Sequence, residues 1–382
     1  MDFEFLTAHK IVFGRGALAK LPALCLPLGE RLMIVAGGAI SRTGAVDRLA
    51  DRLMSEDAEC LIYPCASGEP TVESVDAAIE AGRKADVNAV IGIGGGSALD
   101  TAKAAAAVIP NIGSVRYYLE GVGDKKLKFA PLPFVAVPAT AGTGTEVTKN
   151  AVVMSREEQF KKSIRDDRMI ARIALVDPEL TISVPPDVTA ASGMDAICQL
   201  IESFTAKRAN DFCDAMSLYH APRAMAALRR AYDDGSDIEA RETMSLASMV
   251  SGMCLANAGL GAAHGIGAGL GALLGVRHGI ACGMLLPHVM RYNLSRGCDK
   301  YAALGRAITG QLLPDDQKAA LAAADAVETL CSYLKLPARL GELGVKPEIA
   351  PELAKASMGS SMSKNPVDIS LEECEALIRS LI

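Results

Sequence analysis

The sequence predicts a two-part chain: an α/β unit built on a parallel sheet over residues 1–183, then an all-helical unit over residues 184–382. Three observations carry this. Short apolar runs of strand type alternate with amphipathic helical stretches as far as Asp177-Pro178, and strands separated by helices of that length imply a parallel sheet covered on both faces. Beyond Pro185-Pro186 the strand signals stop, and helices joined by Gly, Pro or Asn breaks run through to Leu381. The length of 382 residues, at 50% hydrophobic content, is ample for two cores.

Taken in order, Lys10–Phe13 is a strand that ends in Gly14-Arg15-Gly16. Leu32–Ala36 (LMIVA) is a buried strand, followed by a helix rich in Arg and Asp from about Thr43 to Met54. Glu59–Tyr63 is a strand, Val72–Lys84 a helix and Ala89–Ile93 the next strand. Phe134–Val137, Ala151–Met154 and Ile173–Val176 continue the pattern, and Asn111–Lys128 is the stretch of this half expected to be most mobile. No internal repeat is present.

Charge and composition exclude several classes. Lys and Arg number 39 against 45 Asp and Glu, a net charge of −6 with no basic cluster, so nucleic acid is not an expected partner. The ten cysteines contain no CxxC pair, and the opening MDFEFLTAHK lacks the basic and apolar regions of a signal peptide. Reduced thiols in a cytoplasmic protein follow as the expectation. Residues Ser245–Val276 carry no charged side chain, long enough to cross a bilayer. Eight glycines, Asn257 and His264 in that stretch favour buried helices around a site instead, and no membrane span is expected.

Two turns of the first half carry chemistry. In Ile91–Lys103, IGIGGGSALDTAK, an apolar strand runs into Gly94, Gly95 and Gly96, then Ser97 and a helix start. Glycines let phosphate oxygens approach the backbone, and free N–H groups at a helix N-terminus favour an anion. The run is not a GxGxxG, and on its own a tight strand-to-helix turn explains it equally well. The second turn, Pro138–Thr148 (PATAGTGTEVT), gathers Thr140, Thr143, Thr145 and Thr148 with Gly142 and Gly144. Hydroxyls and turn N–H groups suit a pyrophosphate, ribose or carboxamide; an ordinary hydroxyl-rich loop is the alternative.

In the second half, two of only five histidines, His264 and His278, fall in the uncharged or glycine-rich setting Gly261–Gly279, GAAHGIGAGLGALLGVRHG. Asp195 and Gln199 in GMDAICQLIES are spaced i,i+4 and project from one helix face. A carboxylate, an amide and two imidazoles on packed helices suit one divalent cation such as Fe²⁺ or Zn²⁺. Two satisfied core histidines near an N-capping Asp are the plainer explanation.

Together these stretches resemble the iron-containing (group III) alcohol dehydrogenases. The resemblance rests on GGGSxxDxAK at Gly94–Lys103, P-x-T-A-G-T-G-x-E at Pro138–Glu146 and the series Asp195…His264…His278-Gly279, and runs from the opening FGRG to Asn365-Pro366. It implies a Rossmann-like dinucleotide-binding domain, an all-α metal-binding and catalytic domain of dehydroquinate synthase-like fold, and a site in the cleft between them. It also implies a homodimer or larger homo-oligomer that reversibly oxidises an alcohol with NAD(P). Gly95, Gly96 and Ser97 match the pyrophosphate turn, with Gly94 and Asp100 of the same motif counted among the cofactor-binding residues. Thr140, Thr143 and Thr148 match a second nucleotide loop, and Lys161, or its neighbour Lys162, a lysine near the ribose. Asp195, His264 and His278 match the metal ligands and catalytic residues.

Three departures matter. Gln199 stands where the family usually has a histidine ligand and is carried as the fourth ligand; Ala268 stands where a further histidine near the nicotinamide is often present. Gly37, in Val35–Ala39, stands where NAD-preferring members tend to carry an aspartate. An acidic group there binds a ribose 2′-hydroxyl and repels a 2′-phosphate, so NADP is favoured over NAD. No conspicuous cationic cluster marks an acidic substrate, which points to a small neutral alcohol or aldehyde. Two rivals remain: a metal-independent reductase resembling maleylacetate reductases, with Gln199 recording loss of the cation, and a lyase resembling dehydroquinate synthases.

Overall fold

The computed structural model describes residues 3–66, 68–155, 157–158 and 160–382. The strands are β1 (Ile11–Phe13), β2 (Arg31–Ala36), β3 (Glu59–Pro64), β4 (Ala89–Gly94), β5 (Phe134–Pro138), β6 (Asn150–Ser155), β7 (Phe160–Arg165) and β8 (Ile173–Val176). Six of them form one sheet in the order β1-β8-β5-β4-β2-β3, with every pairing parallel. Ile34 of β2 lies between Ile62 of β3 and Ile91 of β4, and Ile91 faces Val135 of β5. These central strands are buried along nearly their whole length, which is why they read as unbroken apolar runs.

Helices cover both faces of this sheet. On one, Ile34, Ile91, Ile93 and Val135 pack against Leu21 and Cys25 of α1 (Leu21–Cys25), Ile40 of α2 (Gly38–Ser41) and Leu49 and Leu53 of α3 (Ala45–Met54). On the other lie α4 (Val72–Lys84) and α5 (Gly96–Val108). A side chain at Gly92 would meet Ala102 and Leu99 of α5, so α5 rests directly on β4.

The structure corrects the sequence reading in two places. The helix expected from about Thr43 to Met54 is present as α3, entered through Gly44, whose φ of +70 belongs to the left-handed region, but the short α2 before it, Gly38–Ser41, was not expected. Ala151–Met154 does not extend the parallel sheet: it lies in β6, which pairs antiparallel with β7 in a separate two-stranded sheet. Along β6 the burial alternates, with Ala151, Val153 and Ser155 inward, as in a strand laid over the protein with one face covered. The Asn111–Lys128 segment is pinned at its mouth by one side chain. Asn111 Nδ2 donates to the carbonyls of Ala107 and Phe129, and its Oδ1 accepts from the N–H groups of Lys128 and Phe129.

The remaining helices are α6 (Pro186–Thr205), α7 (Asp211–Asp233), α8 (Ile238–Ala258), α9 (Ala262–Leu274), α10 (His278–Ser295), α11 (Tyr301–Thr309), α12 (Asp316–Tyr333), α13 (Ala350–Ser357) and α14 (Leu371–Ser380). They share one apolar core that includes Met194, Ile197 and Ile201 of α6, Leu228 of α7, Ile266 and Leu270 of α9, and Leu285 and Val289 of α10. The uncharged stretch 245–276 is broken between α8 and α9, which are bent by 101°. Among the described residues no single helix is long and apolar enough to cross a membrane. Two compact units result: Thr7–Thr140 with Gly144–Ser183, and Val184–Ile382 with Ala141–Thr143 and the opening residues up to Leu6. Leu6 belongs with the helices because Asn257 accepts from its N–H at 2.7 Å and donates to its carbonyl at 2.9 Å.

Candidate active site

In the α/β unit, the chain leaves β2 for the edge strand β3 and returns to β4 on the other side of β2. The strand order reverses there, and in open α/β sheets a ligand sits outside the carboxyl ends of the strands at such a switch point. The turns after β2 and β4 meet at that place: the Gly37 N–H donates to the Ile93 carbonyl at 2.9 Å. Gly94 has a φ of +148, and a side chain on it would press within 3.1 Å of Gly37 and 2.9 Å of Ala98. Only glycine fits. The turn then passes through Gly95, the N-cap of α5, to Gly96 and Ser97 in its first turn, and Thr140 after β5 lies against Gly95. Gly37, Gly94, Gly95, Gly96, Ser97 and Thr140 therefore form one rim at the positive end of α5.

Other residues expected at the cofactor lie inside instead. Asp100 is buried, accepting from Thr145 Oγ1 at 3.3 Å and from the Val152 N–H at 3.1 Å. Thr148 is buried too, its hydroxyl 3.0 Å from Lys103 Nζ. That ammonium also reaches the carbonyls of Thr145, Thr148 and Asn150 at 2.6, 2.8 and 3.0 Å. Burial pushes the Lys103 ammonium down to about 8, and Asp100 and Glu146 up to about 6 and about 7, with Lys103 opposing both acid shifts. Lys161 lies on β7, where its ammonium pairs with Glu69 at 2.9 Å.

In the helical unit, α6 carries Asp195, Gln199 and Glu202 at i, i+4 and i+7, one face of the helix. The first turn of α9 supplies His264 and the first residue of α10 is His278. Gly279 sets the approach of α10 to α6: a side chain there would lie 2.0 Å from the Ala191 carbonyl oxygen. His264 Nε2 is 3.2 Å from Asp195 Oδ1, and His278 Nε2 is 3.9 Å from the same oxygen. His264 Nδ1 faces Glu202 at 2.6 Å, and Glu202 also accepts from the N–H groups of Ala263 and His264, at 2.7 and 3.4 Å. Glu202 thus caps α9 and orients its imidazole. Burial opposes charge on His264, but Cys282, Asp195 and Glu202 outweigh it and hold the imidazole well above its ordinary range.

Asp195, His264 and His278 are brought together as expected; the fourth member of their cluster is Cys282, with one ligand atom from each of the four within 4.8 Å of the others. The Gln199 amide is engaged elsewhere: its oxygen accepts from Ser251 Oγ at 2.8 Å and its nitrogen lies 3.4 Å from the Thr143 carbonyl. Sequence reasoning missed Cys282, Glu202 and Lys103. The first two had a signal, since Cys282 is i+4 from His278 and Glu202 is i+7 from Asp195.

A glycine-rich rim at the switch point of a parallel sheet and a buried polar cluster among helices are the candidate functional features of a chain with one sheet-based and one all-helical unit. A family model described as iron-containing alcohol dehydrogenase matches residues 8–178, and one for the C-terminal part of the Fe-containing alcohol dehydrogenase family matches residues 189–382. The chain belongs to the iron-containing alcohol dehydrogenase family, and is an enzyme of the alcohol dehydrogenase class. It is 31% identical over 388 residues to the NAD-dependent methanol dehydrogenase of Bacillus methanolicus, covering 99% of this chain and 100% of that one. Among solved structures it resembles a 1,3-propanediol oxidoreductase, with a TM-score of 0.94 and 30% identity over 100% of both chains. The sulfoacetaldehyde reductase of Bifidobacterium kashiwanohense in complex with NAD⁺ gives a TM-score of 0.89 at 30% identity, over 100% of this chain and 99% of that one.

Proposed function

We propose that the protein interconverts a small neutral alcohol and its aldehyde or ketone with a nicotinamide cofactor, and that Asp195, His264 and His278 hold a divalent metal, Fe²⁺ in preference to Zn²⁺. The observation that carries this reading is the buried group of carboxylate, imidazole and thiol donors on α6, α9 and α10. Its donor chemistry fits such a cation. A cation there supplies Lewis-acid polarisation of a substrate oxygen, and a nicotinamide supplies the hydride acceptor.

The chain's own contribution is orientation. Glu202 occupies Nδ1 of His264 and leaves Nε2 facing Asp195, the arrangement by which a second carboxylate fixes the tautomer of a ligating imidazole. His278, 27% exposed, is the open side of the cluster and the side a substrate approaches. Gly95, Gly96, Ser97 and Thr140 receive the pyrophosphate. The NAD-linked names of two relatives support the nicotinamide, and the lack of an acid at Gly37 supports NADP as the preferred form. Ten free cysteines support a reducing, cytoplasmic setting, and the family supports a homodimer or larger assembly.

The test is a panel of small aldehydes followed at the nicotinamide absorbance, with enzyme purified without chelator. Reduction of neutral aldehydes should be lost on chelation and return with Fe²⁺ or Zn²⁺. Activity indifferent to chelation would establish the metal-free reductase instead.

A further inference from the structure

We propose that Cys282, and not Gln199, is the fourth side chain of the metal site. The proposal rests on the metal reading above and concerns which donors this particular chain uses. His278 opens α10 and Cys282 follows one turn later, so both project from one helix face; Cys282 Sγ lies 3.6 Å from His278 Nε2. A tetrahedral ion with bonds of about 2.0–2.3 Å to N, O and S separates its donors by roughly 3.3–3.6 Å. The separations 3.2 Å (His264 to Asp195), 3.6 Å (His278 to Cys282) and 3.9 Å (His278 to Asp195) bracket that edge length.

Packing makes room for the sulfur. A side chain on Gly267 of α9 would lie 2.9 Å from Cys282 Sγ, so the bare glycine leaves the space the thiol occupies. Cys198 is a second thiol close by, but it contacts His264 through Nδ1, at 3.6 Å, on the side taken by Glu202. Cys282 is the thiol that groups with Asp195 and both imidazoles, one ligand atom of each within 4.8 Å of the others, whereas Cys198 groups with Glu202 and His264. Gln199 meanwhile spends its amide oxygen on Ser251. A chain with glutamine at the customary histidine position thus keeps a full donor set by recruiting a thiolate from the next helix. Its ligands become one carboxylate, two imidazoles and one sulfur, softer than the customary set and suited to borderline ions such as Fe²⁺, Co²⁺ and Zn²⁺ over hard ones such as Mg²⁺.

Cobalt is the probe, because a thiolate bound to Co²⁺ gives a near-ultraviolet charge-transfer band that oxygen and nitrogen ligands lack. Full-length protein, stripped of metal, is titrated with CoCl₂ by equilibrium dialysis and absorbance, alongside Cys282→Ser, Cys198→Ser and Gln199→Leu. The expected result is one cobalt per chain with the band in wild type, Cys198→Ser and Gln199→Leu. In Cys282→Ser the band disappears and affinity falls at least tenfold. Cobalt bound by wild type without the band, or a band that survives in Cys282→Ser and vanishes in Cys198→Ser, overturns the proposal and leaves the metal reading standing. No cobalt bound by wild type overturns both. Thermal melts of the metal-free forms check that Cys282→Ser is folded.

Discussion

The molecule buries two clusters of ionisable groups, one in each unit, and burial wins in one and loses in the other. Around Lys103 it suppresses charge: the ammonium is pushed down and the Asp100 and Glu146 carboxyls up. Around Asp195 the outcome is reversed. The His264 imidazole is held well above its ordinary range, and although burial raises the Cys282 thiol, a hydrogen bond from Cys198 and the two imidazoles bring it well below. The first cluster has an internal counter-charge whose donors are spent on four oxygens, so it is a brace under the turn Thr145–Asn150. In the second, the imidazole and the thiol each favour the charged form of the other, with Asp195 and Glu202 adding to the pull on His264.

The comparison breaks most plainly at Lys103. Lys103→Met leaves two buried carboxyls and four oxygens without their cation, and should cost about 3–5 kcal/mol of stability in denaturant unfolding. Cobalt affinity should be unaltered while the fold persists; a stable variant would mean the brace carries no load.

Glu146→Gln sharpens the same cluster through pH. A carboxyl raised from 4.5 to about 7 contributes stability below its unfolded value and loses it as pH rises through 7. The glutamine variant, fixed in the neutral form, should be more stable than wild type at pH 8, by no more than about 3 kcal/mol. The two should converge near pH 4.5. Melting curves at both pH values read the difference, and an equal offset at both would show that Glu146 does not titrate in this range.

In the helical cluster, Glu202→Gln keeps the size of the side chain and removes the charge behind His264. Metal affinity should fall about 10–100-fold, with a far smaller stability loss than at Lys103, as measured by cobalt dialysis and thermal melting. At the sheet's rim, Gly95→Val places a side chain where the pyrophosphate should lie. The existing φ of −75 accommodates valine, and the nearest neighbour is Thr140 Oγ1 at 3.4 Å, so the fold should hold. Cofactor titration should show a loss of about tenfold, about 1.4 kcal/mol. Smallest is the selective effect of Gly37→Asp, expected to depress kcat/KM with NADPH more than with NADH because only the former carries a 2′-phosphate. Equal losses would place the adenosine ribose elsewhere.

Much of this was legible in the sequence. The central strands announced themselves because burial on both faces leaves no polar alternation, and Gly94–Gly96 marked a turn whose tightness the backbone confirms. β7 escaped because FKKSIR carries three cations and little apolar signal. Asp100 and Thr148 looked like cofactor contacts because motif membership does not say which way a side chain turns; the structure turns both inward to Val152 and Lys103. Cys282 and Glu202 were missed for a different reason. Their helical spacing is readable, but a single cysteine and a single glutamate within helical stretches carry no mark of facing the histidines, since the packing of α6, α9 and α10 is what brings them there.

The close approach at Gly279 has a consequence for how such a site can change. α6 and α10 meet through a backbone carbonyl and a bare α-carbon, so their separation is not set by the side chains that face the cluster. The helices act as a mould, and its shape does not depend on what is poured into it. Donor atoms can be exchanged one at a time, an amide for an imidazole or a sulfur for an oxygen, without moving the positions from which they project.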